Sequence, residues 1–238
     1  MNLHDKVALV TGASRGIGHA ITLALAKEGC NVMLAARSKA DLEKVAQEIR
    51  NSGGSAAIFV ANMREENGIR EMIDTTVKQF SGIDILINNA GLGYFKSAAE
   101  MTTAQWDEMF DVNLRGVFIA TREALPHLRK QKESFVVNIA SLAGKNTFVN
   151  GSGYAATKWG LRAFSQCLML EERKNGVRVL VVCPGSVDTS FGHPGGDMPK
   201  SHAKKIIKPE DVAETIVMAL KMPQRSMVSE IDIRPTNP

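Results

Sequence analysis

The sequence predicts an α/β fold in which one parallel sheet is doubly wound, with helices on both of its faces. Three observations predict it. Short aliphatic and β-branched runs recur at 7–10, 31–36, 57–60, 83–87, 135–139, 177–182 and 230–233. The runs are mostly continuous in apolar residues, as in strands buried on both sides. Between them lie segments long enough for crossover helices, which join parallel strands with a right-handed sense.

The elements follow in order. The run 7–10 leads into Thr11-Gly12-Ala13-Ser14-Arg15-Gly16-Ile17-Gly18, and the next helix carries Ile17, Ile21 and Leu25 on one face. After the run 31–36, Leu42, Val45, Ala46 and Ile49 fall at i, i+3, i+4 and i+7 with polar residues between them, so one face of the second helix enters a core. The run 83–87 is followed by Asn88-Asn89-Ala90-Gly91, and a long helix passes through Asn113. The run 135–139 leads to Ala140-Ser141, and a helix starting near Tyr154 extends to about Lys174. The run 177–182 ends in Cys183-Pro184-Gly185, and an irregular stretch rich in Gly and Pro continues to about Lys208. A segment of that length leaving a strand end reads as a lid over a site at 184–208. The run 230–233 closes the sheet.

A chain of 238 residues with 44% hydrophobic content suits a single domain, 1–238, better than two halves. Residues 1–5 lead directly into the first apolar run, without the basic and apolar regions of a signal peptide, and no run reaches membrane-spanning length. Three cysteines, Cys30, Cys167 and Cys183, each sit in an apolar stretch and read as reduced core residues of a cytoplasmic protein. The 29 basic and 25 acidic side chains leave a formal charge of only +4, which argues against a nucleic-acid partner. Lys204, Lys205 and Lys208 form the one local basic cluster, read as a solvated face, with contact to an anionic carrier or a phosphate left open.

In a doubly wound sheet, ligands bind beyond the carboxyl ends of the strands. There the glycines at 12, 16 and 18 allow a tight turn, close approach of the backbone to a pyrophosphate, and packing of helix on strand. The helix N-terminus then faces the anion. The Gly-x-x-x-Gly-x-Gly spacing, together with Asn88-Asn89-Ala90-Gly91 after the fourth strand, resembles the short-chain dehydrogenase/reductase family over nearly the whole chain.

That resemblance implies a Rossmann-type seven-stranded parallel sheet, a nicotinamide cofactor along its carboxyl edge, and a homodimer or homotetramer. The cofactor residues it points to are Gly12, Ser14, Arg15, Gly16, Ile17, Gly18, Arg37, Asn62, Met63, Asn89, Ala90, Gly91, Tyr154, Lys158, Pro184, Gly185, Val187 and Thr189. Ala36 stands where NAD-preferring members carry Asp. Arg37 follows it and Arg15 lies in the glycine turn, so two guanidinium groups could meet a 2′-phosphate, which favours NADP(H). Asn62-Met63 replaces the family's usual Asp and apolar residue, and the Asn amide oxygen can still accept a hydrogen bond from adenine. By the same resemblance, the backbone of Val187 and the hydroxyl of Thr189 meet the carboxamide, while Pro184 and Gly185 shape the turn beneath the ring.

Tyr154 and Lys158, four residues apart, share one helix face. A free tyrosine has a pKa of about 10, and an ammonium beside it would lower that value. Ser141 can set its hydroxyl against an oxygen gaining negative charge. With Asn113, which in the family positions a water between lysine and solvent, these residues match a catalytic tetrad of Asn113, Ser141, Tyr154 and Lys158. The implied activity is hydride transfer between NADP(H) and a small-molecule carbonyl, with Tyr154 as proton donor.

The expected pocket walls are Leu92, Gly93, Tyr94, Phe95, Leu142, Ala143, Val149, Asn150, Phe191 and Met198, largely apolar and equally suited to a ketone, an aldehyde or a 3-oxoacyl compound. Arg129, Lys130, Arg173 and Lys174 could present positive charge to an acyl carrier, as in the neighbouring 3-oxoacyl carrier-protein reductase branch. The ending Ile231-Asp232-Ile233-Arg234-Pro235-Thr236 lacks the glycine-rich close of that branch. Two other readings stay open from sequence: a sensor that binds NADP(H) without turnover, and a structural partner with a vestigial fold.

Overall fold

A computed structural model describes residues 1–191 and 206–236. Seven strands, β1 (Val7–Thr11), β2 (Asn31–Ala36), β3 (Ser55–Val60), β4 (Ile85–Asn88), β5 (Ser134–Ile139), β6 (Val177–Pro184) and β7 (Glu230–Ile233), form one sheet in the order β3-β2-β1-β4-β5-β6-β7. Every pairing is parallel. The helices are α1 (Gly16–Lys27), α2 (Lys39–Asn51), α3 (Glu66–Phe80), α4 (Thr103–Phe110), α5 (Gly116–Leu128), α6 (Ser152–Glu172) and α7 (Pro209–Lys221).

The pleat sends successive side chains to opposite faces. Ala8, Val10, Val32, Leu34, Val137 and Val182 therefore pack with Ile21 and Leu25 of α1, Leu42 and Ile49 of α2 and Ile216 and Leu220 of α7. Leu9, Met33, Leu86, Val136 and Val179 pack on the other side with Ile69 and Ile73 of α3, Ile119 and Ala120 of α5 and Leu168 of α6. Both faces are covered, which is why these strands are apolar throughout. The fold is the single-sheet Rossmann-type arrangement expected.

Strand β1 lies between β2 and β4, so the strand order reverses there and opens a crevice at the carboxyl edge. Asn88 and Asn138, paired across β4 and β5, carry a buried polar chain below that edge. The Asn88 amide donates to Asn138 Oδ1 at 2.8 Å and to Thr121 Oγ1 at 3.1 Å, and the Asn138 amide donates to Ser165 Oγ at 2.8 Å.

The cysteine reading needs one correction. Cys30 and Cys183 are buried, and burial pushes their thiols up to about 12 and about 11, but Cys167 lies on the exposed side of α6. Of the expected lid, residues 192–205 lie outside the described residues, as do Met198, Lys204 and Lys205. The described flanks of that segment pair with each other: Val187 and Ile207 form a parallel bridge, with Asp188 N donating to Ile207 O at 2.8 Å. Among the described residues, no helix is long and apolar enough to cross a membrane.

Candidate active site

The crevice is a cavity of about 1120 Å³. Its walls include every residue the sequence nominated for cofactor contact, from Gly12 to Thr189, and the catalytic candidates Ser141, Tyr154 and Lys158. Asn113 stands behind the wall, fully buried.

At one end, the turn after β1 depends on missing side chains. Gly12 has φ +66°, and a Cβ there would come within 2.8 Å of Asn89 Nδ2 and 2.9 Å of Ala90 Cα. A Cβ on Gly18 would collide with the Gly12 carbonyl, so α1 packs directly on the turn. Thr11 and Asn89 lock this region to β4. The Thr11 hydroxyl accepts from Asn89 N at 3.0 Å and Ala90 N at 3.1 Å, and the Asn89 amide donates to the carbonyls of Thr11 (2.9 Å) and Gly12 (3.2 Å). The sequence reading missed Thr11, because a threonine at a strand end carries no motif of its own.

Arg15 is the extended N-cap of α1, and Arg37 follows β2; both are exposed cavity residues. Ser38, also in the wall, caps α2 by accepting from Asp41 N at 3.3 Å, and its hydroxyl donates to Asp41 Oδ2 at 2.7 Å. That hydrogen bond, with Lys44 and then Arg15, holds the Asp41 carboxyl below the usual range. The Ser-x-x-Asp spacing before a periodic helix is a cap signal that could have singled out Ser38. Asn62 is half-buried in the wall, with its Oδ1 accepting from Arg64 N at 3.2 Å and its amide donating to Glu65 at 2.8 Å. The oxygen keeps one lone pair for a ligand.

A dinucleotide phosphate fits this end: the backbone is bare at Gly12, Gly16 and Gly18, the N-terminus of α1 opens onto the cavity, and two guanidinium groups stand beside it. The same cavity continues to the catalytic candidates Ser141, Tyr154 and Lys158.

Ser141 sits just past β5 in extended conformation, and its Oγ accepts from Ala143 N at 3.1 Å, capping the short turn Leu142–Gly144. Tyr154 and Lys158 lie one turn apart on α6, the Lys158 Nζ 5.7 Å from the centre of the Tyr154 ring. Lys158 donates to the Ile139 carbonyl at 2.8 Å. Burial pushes the Tyr154 hydroxyl up to about 12, with a hydrogen bond from Ser141 pulling the other way, and burial brings Lys158 down to about 8. The expected lowering of Tyr154 by its lysine is therefore corrected: burial of the hydroxyl outweighs the one hydrogen bond, from Ser141, that favours its ionised form.

Asn113 lies in a π-helical turn, Asp111–Arg115, that joins α4 to α5 and is closed by Gly116 N donating to Asp111 O. Its amide donates to Leu92 O at 2.8 Å and to Thr157 Oγ1 at 3.1 Å, and its Oδ1 accepts from Leu92 N at 2.9 Å. Asn113 thus ties the loop after β4 to the catalytic helix. Such π turns frequently mark functional sites.

Among the expected pocket walls, Leu92, Phe95, Leu142, Ala143 and Phe191 line the cavity. Gly93, Tyr94, Val149 and Asn150 do not. The Tyr94 hydroxyl donates to Glu108 at 2.6 Å, and Val149 is 88% exposed. Asn146, Thr147 and Phe148 take their place. Of the basic residues named for a carrier, Arg129 is matched by Glu172 in a two-pronged pair at 2.9 and 2.5 Å.

The short chain dehydrogenase family model matches residues 6–199. An uncharacterized oxidoreductase of Staphylococcus aureus (strain USA300) is 36% identical over 233 residues, 98% of each chain. One from Staphylococcus saprophyticus is 35% identical over 236 residues, 99% of each. Among solved structures, an alcohol dehydrogenase from the archaeon Thermococcus sibiricus complexed with 5-hydroxy-NADP superposes with a TM-score of 0.91 at 34% identity, covering 97% of each chain. A metagenomic short-chain oxidoreductase in complex with NADP gives 0.87 at 34% identity and 99% coverage of each. With the glycine turn, the serine, tyrosine and lysine set and the sheet order all in place, the chain belongs to the short-chain dehydrogenase family.

Proposed function

We propose that the protein is an NADPH-dependent carbonyl reductase, moving hydride between NADP(H) and a ketone, aldehyde or 3-oxoacyl compound. The observation that carries this reading is that Ser141, Tyr154 and Lys158 share one cavity with the glycine turn and with Arg15 and Arg37. Solved relatives that hold NADP or 5-hydroxy-NADP support the choice of cofactor.

When bound, NADPH supplies the hydride. The chain's own residues manage the oxygen. Tyr154, fully protonated at neutral pH because burial holds it near 12, gives its hydroxyl proton to the carbonyl oxygen as negative charge develops, leaving a phenolate and an alcohol. The Ser141 hydroxyl donates a hydrogen bond to the same oxygen. Lys158 stabilises the phenolate with its ammonium and returns a proton, with Asn113 ordering the path from solvent. The end of β6 and the turn after it set Pro184, Gly185, Val187 and Thr189 in the cavity wall, where they would hold the nicotinamide.

The protein works as one cytoplasmic domain and as a homodimer or homotetramer. Trp106, Phe118 and Trp159, exposed on three successive helices, are apolar surface that a second copy would cover.

The test is a thermal-shift comparison of NADPH with NADH, followed by a carbonyl panel with the preferred cofactor. Tyr154→Phe is expected to lower NADPH oxidation by about a thousandfold while leaving the NADPH-induced shift nearly unchanged. Strong NADPH binding without oxidation by any ketone or aldehyde would replace this reading with the sensor.

A further inference from the structure

Aromatic residues make up only 5% of the chain, yet Tyr154 and three phenylalanines form one connected group of rings in the cavity wall. Phe95 stands edge-on to Tyr154 at 5.5 Å between centres, Phe191 lies 5.6 Å from Tyr154 and 6.5 Å from Phe95, and Phe148 lies 5.9 Å from Phe95. Two glycines make room for them. A Cβ on Gly93 would come within 3.1 Å of Phe95, 3.2 Å of Tyr154 and 3.3 Å of Phe191, and one on Gly151 would overlap the Phe148 ring at 2.5–2.7 Å.

All four rings line the cavity, and Phe95, Phe148 and Phe191 remain 41%, 46% and 39% exposed. Apolar rings left open at the mouth of a catalytic cavity favour an apolar occupant that removes them from water. The charged side chains in the described wall lie elsewhere or are matched. Arg15, Arg37 and Asp41 belong to the glycine-turn end, Lys158 serves Tyr154, and Arg234 is paired with Asp232 at 3.3 Å.

Resting on the carbonyl reductase reading, we propose that the substrate carries a flat aryl group on its carbonyl carbon, seated among Phe95, Phe148 and Phe191. An aryl ring can meet these rings edge to face, which a flexible acyl chain cannot, and it loses less rotational freedom on binding. Gly93, behind the rings, leaves the room in which Phe95, Tyr154 and Phe191 pack.

The test compares NADPH oxidation by acetophenone, 2-butanone and an N-acetylcysteamine 3-oxobutanoyl thioester. The expected kcat/KM for acetophenone exceeds that for 2-butanone by about a hundredfold. Phe95→Leu with Phe148→Leu should cut that ratio about tenfold. Gly93→Ala should lower acetophenone turnover selectively. A readout independent of turnover is saturation-transfer NMR of acetophenone with Tyr154→Phe, in which ring protons should saturate, and should stop doing so once both phenylalanines are replaced. Preference for 2-butanone or the thioester, with unsaturated ring protons, overturns the aryl site and leaves the reductase reading standing. Saturated ring protons with no carbonyl oxidising NADPH overturn the reductase reading and keep the ring site.

Discussion

Arg162 joins the catalytic helix to the last strand and to the serine turn at once. Its Nη2 donates to both oxygens of Glu230 at 3.2 and 3.1 Å, and its Nη1 donates to the Gly144 carbonyl at 2.7 Å. Gly144 ends the turn that Ser141 caps. Burial pushes the Glu230 carboxyl up, but Lys145 and Arg162 outweigh it and hold the group below its usual range. Lys145 pairs with Glu230 and with Asp232, so β7 is tied to the end of the serine turn at two positions.

Arg162→Met removes both arms of that clamp. It is expected to lower kcat by about tenfold to a hundredfold, with the KM for NADPH changed less than about twofold, because the loss lies in placing Ser141 rather than in the cofactor end. Steady-state kinetics beside a melting curve separate the roles: a lower Tm with unchanged kcat would mean that the clamp only stabilises. Arg162→Lys should rescue little, since one ammonium cannot serve a carboxylate and a carbonyl in this forked geometry.

The pH dependence follows from Lys158. Its ammonium is present below about 8 and lost above it, while Tyr154, near 12, stays protonated throughout the working range. For carbonyl reduction, kcat/KM should be flat near neutrality and fall as pH rises through about 8, approaching tenfold per unit. A profile flat to pH 10 would show that the lysine charge is not needed.

Stability should run the opposite way. The folded-state value of Lys158, about 8, lies below its ordinary 10.5. Below 8 both states are protonated and the cost of burying the ammonium is fully present. Between about 8 and 10.5 the unfolded chain binds the extra proton, so stability rises with pH. At pH 7, Lys158→Met is expected to stabilise the protein by about 1–3 kcal/mol while abolishing turnover, and the gain should shrink by pH 10. Denaturant melts at the two pH values check this, and a less stable variant at pH 7 would refute it.

Arg37→Ala tests the cofactor preference. The KM for NADPH should rise about tenfold to a hundredfold, and the KM for NADH should change less than about threefold, because only the 2′-phosphate loses a charged partner. Equal weakening of both would place Arg37 away from that phosphate.

The sheet and the glycine turn were legible because each is written locally. Apolar runs mark strands, and the run from Thr11 to Gly18 encodes a turn that tolerates no side chain at Gly12 or Gly18. Tyr154 and Lys158 were legible because helical spacing alone puts them on one face. What was not legible depends on elements far apart in the chain. Arg162 and Glu230 are 68 positions apart and meet only because α6 packs beside β6, which pairs with β7. Loop side chains were misjudged for a related reason: periodicity says nothing about where Tyr94 or Val149 turns, and the partner that draws Tyr94 aside, Glu108, lies on α4. Cys167 shows the limit of apolar context, since a stretch can be apolar while one of its positions faces outward.

The π turn at Asp111–Arg115 fixes something beyond the place of Asn113. Upstream, Met109 is fully buried beside Tyr154; downstream, Ile119, Ala120 and Ala124 pack on the sheet. One residue is worth about 100° of helical rotation. Dropping a single position between 111 and 115 would restore an ordinary helix and swing α5 by that angle relative to α4, so the catalytic helix and the sheet could no longer both be satisfied. In this stretch the number of residues is constrained as tightly as the identity of Asn113: insertions and deletions put the two halves of the helix out of phase.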